Sequence, residues 1–118
     1  MKFNTNAKEE FKRITNGLKV ISATIWKEEY DKETNFIDLL EGYGLEDYNK
    51  FLDKLDFSYD NGYGRQNLFG FIGCDNGIWF DREEYDGSEW WARHEYPNID
   101  EIIKNRVLDK LEGLNEKD

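Results

Sequence analysis

Apolar residues recur with a helical period at the start of the chain. Ala7, Phe11 and Ile14 stand at i, i+4 and i+7, which is one face of a helix. Asn6 is placed to cap that helix, with Glu9 three residues on as in a capping box. Asn16-Gly17 ends it, with Gly17 suited to the left-handed position just past the last turn. The polar face carries Lys8, Lys12 and Arg13.

The period then changes. Leu18 to Trp26 is rich in β-branched residues and predicts a strand. Leu18, Val20, Ser22, Thr24 and Trp26 share one face, and Ile21, Ala23 and Ile25 the other. Both faces are partly apolar, so the strand is expected inside a sheet. After the charged connection from Glu28 to Glu33, Phe36, Ile37, Leu39 and Leu40 predict a second strand ending at Gly42-Tyr43-Gly44. A short helix is the competing reading of so brief a run. Leu45 to Asp53 returns to helical spacing through Tyr48, Phe51 and Leu52, with Leu55 beyond. Tyr59 to Gly64 reads as a turn-rich loop.

The clearest pattern follows. Asn67 to Cys74 alternates as a strand. Asp75-Asn76-Gly77 predicts a tight hairpin turn of type I′. Ile78 to Tyr85 is the return strand. Asp86-Gly87-Ser88 is a second turn, and Glu89 to Tyr96 is a third strand. Gly70 and Gly73, within the first of these strands, are expected to accommodate a neighbouring Trp or a bulge. Pro97 ends the meander. Asp100 to Leu111 predicts an amphipathic helix with Ile99, Ile102, Ile103, Val107 and Leu111 as its stripe. The predicted fold is therefore α+β. One antiparallel sheet of about five strands, with a C-terminal three-stranded meander, is packed by about three helices in the order α-β-β-α-β-β-β-α. Residues 1–118 form one domain.

Composition narrows the function. Charged residues make up 36% of the chain and mean hydropathy is −0.90, yet aromatics reach 16%. That aromatic share separates the sequence from disordered chains. No stretch approaches the ~18 apolar residues of a membrane helix. The first residues lack the apolar core of a signal peptide, and there is a single Cys. A cytoplasmic location is the expectation. The net charge of −10 argues against bare nucleic acid as a partner, because phosphates repel it. It suits a basic protein surface.

The charge is uneven. Residues 1–27 hold six Lys/Arg and two Glu, a net of +4, and residues 28–118 hold ten Lys/Arg and 24 Asp/Glu, a net of −14. Between Asp81 and Glu101 eight acids meet two bases, a net of −6. The acids there are interleaved with Trp79, Phe80, Tyr85, Trp90 and Trp91. On a hairpin, Asp81, Glu83 and Tyr85 share one face, and Phe80, Arg82 and Glu84 the other. Packing within the sheet is the expected role of at least two of Trp79, Trp90 and Trp91. Arg82 is expected to pair at the surface with Glu84 or Glu89, a contact contributing roughly 0–1 kcal/mol.

The functional expectation is a partner-binding face. Asp81, Glu83, Glu84, Asp86 and Glu89 supply a negative field, and Tyr85, Trp90 and Trp91 act as aromatic anchors wherever they are exposed. No catalytic, metal or cofactor site is predicted. His94 and Cys74 are the one pair that suggests an enzyme or ligand-binding domain, and no spacing supplies a third, orienting residue. The basic face of the first helix offers a second possibility, self-association against the acidic hairpin of another copy.

The stretch Trp79-x-x-Arg82-x-Glu84-Tyr85-Asp86-Gly87-Ser88-Glu89-Trp90-Trp91, preceded by the Asp75-Asn76-Gly77 turn, resembles small accessory proteins of bacteriophages and mobile elements. The resemblance covers residues 55–97. The chain's size and acidity are also similar to those of anti-CRISPR and other anti-defence inhibitors. The resemblance implies a non-enzymatic inhibitor that occludes a basic surface on a host nucleic-acid-handling defence protein, such as a CRISPR effector. It acts in the host cytoplasm without touching nucleic acid or membrane, and a homodimer is compatible with this. The alternative is a bacterial immunity protein that neutralises one cognate toxin.

Overall fold

A computed structural model describes residues 4–28, 33–60 and 65–96, together with Ile103 and Arg106. The described elements are β1 (Asn4–Asn6), α1 (Ala7–Ile14), β2 (Val20–Lys27), β3 (Phe36–Leu39), α2 (Leu45–Lys54), β4 (Ser58–Asp60), β5 (Leu68–Cys74), β6 (Ile78–Tyr85) and β7 (Ser88–Glu95). The fold is α+β. A five-stranded sheet has the order β3-β2-β5-β6-β7, and every neighbouring pair in it is antiparallel. β1 and β4 pair separately as a small second sheet. Neither of these two short strands follows from the pattern of the sequence. Tyr59 and Asp60, expected in a loop, lie in β4.

Two helices are described where about three were expected. The predicted helix from Asp100 to Leu111 lies outside the described residues except for Ile103 and Arg106, which are helical in backbone and exposed. The part of the predicted loop from Asn61 to Gly64 also lies outside them.

Local chemistry explains the ends of the elements. The Asn6 side-chain oxygen accepts the Glu9 N–H at 3.0 Å and caps α1. The helix stops at Thr15, whose hydroxyl donates to the Phe11 carbonyl at 2.7 Å. Gly17, at φ +81°, sits one position later than expected, in a turn closed by the Leu18 N–H on the Thr15 carbonyl. The Asp75 turn is as predicted. Asn76 and Gly77 both have positive φ, and the Ile78 N–H returns to the Asp75 carbonyl. Asp86 and Gly87 repeat this geometry, which brings Tyr85 opposite Ser88 and starts β7 one residue earlier than predicted.

The two helices meet on one face of the sheet, where the Phe11 and Phe51 rings lie edge to face at 5.2 Å between centroids. Ile25, Leu39, Leu68, Ile72 and Phe80 complete this buried layer. β2 is an interior strand, as its two apolar faces imply, but its alternation is broken. An irregularity between Val20 and Ser22 turns Val20 onto the core face with Ala23 and Ile25. A bulge adds one residue to a strand and so exchanges the faces on either side of it.

Gly73 stands opposite Trp79, while Gly70 meets neighbouring backbone. At φ +150°, a Cβ on it would lie 2.3 Å from the Thr24 carbonyl oxygen. The glycine lets the β5 backbone approach β2.

Candidate functional site

The hairpin β6–β7 presents different chemistry on its two faces. Its pairing places Arg82 opposite Trp91, Glu83 opposite Trp90 and Trp79 opposite His94. Arg82, Trp91 and Glu89 therefore face the core. Trp79, Asp81, Glu83, Tyr85, Trp90 and His94 face away from it.

On the inner face, Arg82 is the centre of a buried polar network. It donates to Glu10 Oε1 at 3.0 Å, to the Tyr59 hydroxyl at 2.9 Å and to Glu89 Oε1 through a very short contact. The Tyr59 hydroxyl donates in turn to Glu10 Oε1 at 2.6 Å. Glu89 also accepts the backbone N–H groups of Asn67 and Leu68, at 2.6 and 2.9 Å. The guanidinium carbon lies 5.0 Å from the Trp91 ring centroid and 5.5 Å from that of Tyr59. Burial and the Glu10 hydrogen bond hold the Tyr59 hydroxyl far above the ordinary phenol range. Arg82 Nε and Trp91 Nε1 are buried without a hydrogen-bond partner among the described residues.

The Arg82–Glu89 contact expected at the surface is thus an interior one. Both side chains are 1% exposed. Glu89 and Trp91 belong to this network and not to an exposed binding face. Glu84 lies at the end of the hairpin, where its carboxylate accepts the Gly87 N–H at 2.8 Å. Glu10 and Tyr59 are members that the sequence reading missed. A signal for Glu10 exists, because an acid at i+3 from Ala7 falls inside the apolar stripe of α1.

The outer face of the sheet carries a band of aromatic rings. Trp26 packs against Phe36 and Phe69 at centroid distances of 5.2 and 6.0 Å. Trp79 stacks on His94 at 4.3 Å and on Tyr96 at 5.6 Å. Phe71, Tyr85 and Tyr96 are more than half exposed, and Trp90 is 39% exposed. Both described helices pack on the opposite face. Beside these rings, His94 Nε2 lies 2.7 Å from Asp81 Oδ1 and 3.7 Å from Glu83 Oε1. A groove of about 550 Å³ runs from Asp38 and Glu41 at the β3 edge to Phe71, Trp79 and Tyr96, with Ser22 and Gly73 also in its lining.

Of the predicted binding residues, the structure gathers Asp81, Glu83, Tyr85 and Trp90 on this outer face. Asp86 and Glu84 lie at its tip, and Glu89 and Trp91 behind it.

Cys74 and His94 lie on opposite faces of the sheet. Cys74 is buried in the core, and its thiol is pushed up by burial and by the neighbouring Asp75 carboxylate. A nucleophile–base pair between them is not formed. On α1, Lys8 pairs with Asp56 at 3.5 Å, while Lys12 and Arg13 are exposed. No described helix is long and apolar enough to cross a membrane. Comparison with protein-family models, with curated proteins and with solved structures finds no match to this chain.

Proposed function

We propose that this protein is a non-enzymatic inhibitor that covers a basic, nucleic-acid-handling surface on a host defence protein, as a phage or mobile-element product would. One observation carries the reading. Tyr85 and Trp90 stand exposed on the outer face of the last hairpin, with Glu83, Glu84 and Asp86 around them and Arg82 turned into the core. Exposed aromatics supply contact area, and carboxylates placed around them steer a cationic surface and mimic a row of phosphates. The sequence resemblance supports the phage setting. Occlusion, with no chemistry, is all that the arrangement requires.

The test uses the purified chain as bait at low salt in a bacterial lysate, beside a Glu83→Lys/Glu84→Lys variant. The expected result is a nucleic-acid-binding protein that is retained by the wild type, is released as salt rises, loses its nucleic acid when bound, and is not retained by the variant. Retention that is unchanged in the folded variant overturns the proposal. A captured secreted toxin would instead favour the immunity-protein reading.

A further inference from the structure

Alternation along β6 brings Asp81 and Glu83 to the same outer face of the hairpin. On β7, Ala92 stands opposite Asp81, between Trp90 and His94 on the same face, and its side chain is a single methyl group. The three donor atoms lie within 4.8 Å of one another. His94 Nε2 is 2.7 Å from Asp81 Oδ1 and 3.7 Å from Glu83 Oε1. Donors bound at about 2.0–2.2 Å to one tetrahedral ion are separated by roughly 3.3 Å, which those two distances bracket.

Two further features suit an ion. The imidazole is stacked on Trp79 at 4.3 Å, so its direction is set before any ion arrives. Among the described residues, Asp81 and Glu83 have no Lys or Arg partner, and their ion-pair contacts are both to His94. A neutral imidazole with two carboxylates carries a charge of −2, the complement of a divalent cation. Imidazole nitrogen beside carboxylate oxygen selects first-row transition ions over Mg²⁺ or Ca²⁺, which prefer all-oxygen shells.

We propose that Asp81, Glu83 and His94 form a three-ligand site for a divalent transition ion of the Zn²⁺ class, with its remaining position open to solvent. An ion bound at His94 Nε2 uses the lone pair of the neutral ring's Nδ1–H tautomer, so a proton held at Nε2 passes by way of water to Nδ1 and the site keeps its charge of −2. The site does not depend on the proposed partner. Its signal in the sequence is the Asp-x-Glu alternation with a histidine on the next strand, which becomes readable only once the hairpin register is known.

The test is calorimetric titration of ZnCl₂ into the full chain at neutral pH, in a buffer that does not chelate metal, with MgCl₂ as the comparison. His94 is the single histidine, so its ring proton resonances report the same titration in the unaltered protein. The expected result is one saturable Zn²⁺ site, with the His94 ring resonances shifting in step. Affinity should fall at least ~10-fold in Asp81→Asn and in Glu83→Gln, with Mg²⁺ far weaker. The proposal is overturned if the His94 resonances do not respond to Zn²⁺. It is equally overturned if folded Asp81→Asn and Glu83→Gln bind as the wild type does, or if Mg²⁺ binds as tightly as Zn²⁺, which marks a merely acidic surface.

Discussion

Arg82 and Glu10 are 72 residues apart in sequence and meet through a buried hydrogen bond of 3.0 Å. The contact ties the first helix to the last hairpin. Tyr59 of β4 and Glu89 of β7 close the same network, so four elements from different parts of the chain converge on one guanidinium. Removing one member of a buried pair leaves the other charged and unsolvated, at a cost of about 3–5 kcal/mol. Arg82→Met is therefore expected to lower unfolding free energy by that order, as read from urea denaturation. Glu10→Gln should cost less, because the amide still accepts from Tyr59. A double-mutant cycle should show strong coupling between the two positions. Additive effects would mean that the pair does not act as a unit.

Tyr59 gives the fold an alkaline limit. Its hydroxyl is held above the ordinary phenol value of about 10 by burial first and by the Glu10 hydrogen bond second. A raised pKa means that the folded state holds the proton more tightly than the unfolded chain. The corresponding stability is fully present below about pH 10 and is lost as pH rises through the folded value. Tyr59→Phe should thus be less stable at pH 7, by about 1–3 kcal/mol for the lost hydrogen bonds. Its stability should also fall less than that of the wild type between pH 9.5 and 11.5. Parallel urea curves at those pH values read the difference, which removes the shared contribution of Tyr48, itself raised by burial.

Gly70 is a backbone prediction. A Cβ there meets the Thr24 carbonyl oxygen at 2.3 Å, and the φ of +150° is one that L residues rarely adopt. Gly70→Ala is expected to cost at least about 2 kcal/mol, from strain and from a forced shift of β5 against β2. Gly73→Ala is the control. There a Cβ meets Ser22 Oγ at 3.6 Å, an ordinary contact, and the cost should stay near that of any exchange in a strand. A thermal scan of the two variants side by side decides it.

Legibility in the sequence followed interaction range. Asn76-Gly77 and Asp86-Gly87 announce their turns because positive φ is a local demand met by few residues. The meander and its inside–outside alternation follow from those turns. The α1 cap was readable for the same reason, since Asn6 reaches only to Glu9. What was not readable depended on distant partners. β1 and β4 are three residues each and form only because residues near position 5 meet residues near position 59. The Val20 bulge reverses an alternation that the sequence alone shows as regular. Arg82 shares a face with Phe80, yet a surface pair is what its local spacing suggests, because its burial depends on Glu10, 72 residues away. Conversely Asp81, Glu83 and His94 are each evident in the sequence, and only the β6–β7 register shows that they converge.

Trp90 and Trp91 separate packing from surface within one dipeptide. Adjacent strand residues point to opposite faces, and here they do so with unequal burial: Trp91 is 6% exposed and lies over the Arg82 guanidinium, while Trp90 is 39% exposed beside Glu83. Trp91→Ala empties a buried site and removes a ring from a charged group, so a loss of about 3–5 kcal/mol is expected. Trp90→Ala gives up only partly buried area and should cost about 1 kcal/mol or less. The two variants should then diverge in the opposite sense on binding. Trp90→Ala, still folded, should lose retention of a basic partner, because a half-exposed tryptophan amid carboxylates contributes its area only when a partner covers it. Denaturation curves and lysate retention, measured on the same two preparations, should therefore give a stable non-binder at position 90 and a destabilised variant at position 91. Equal stability losses at the two positions would contradict the assignment of their faces.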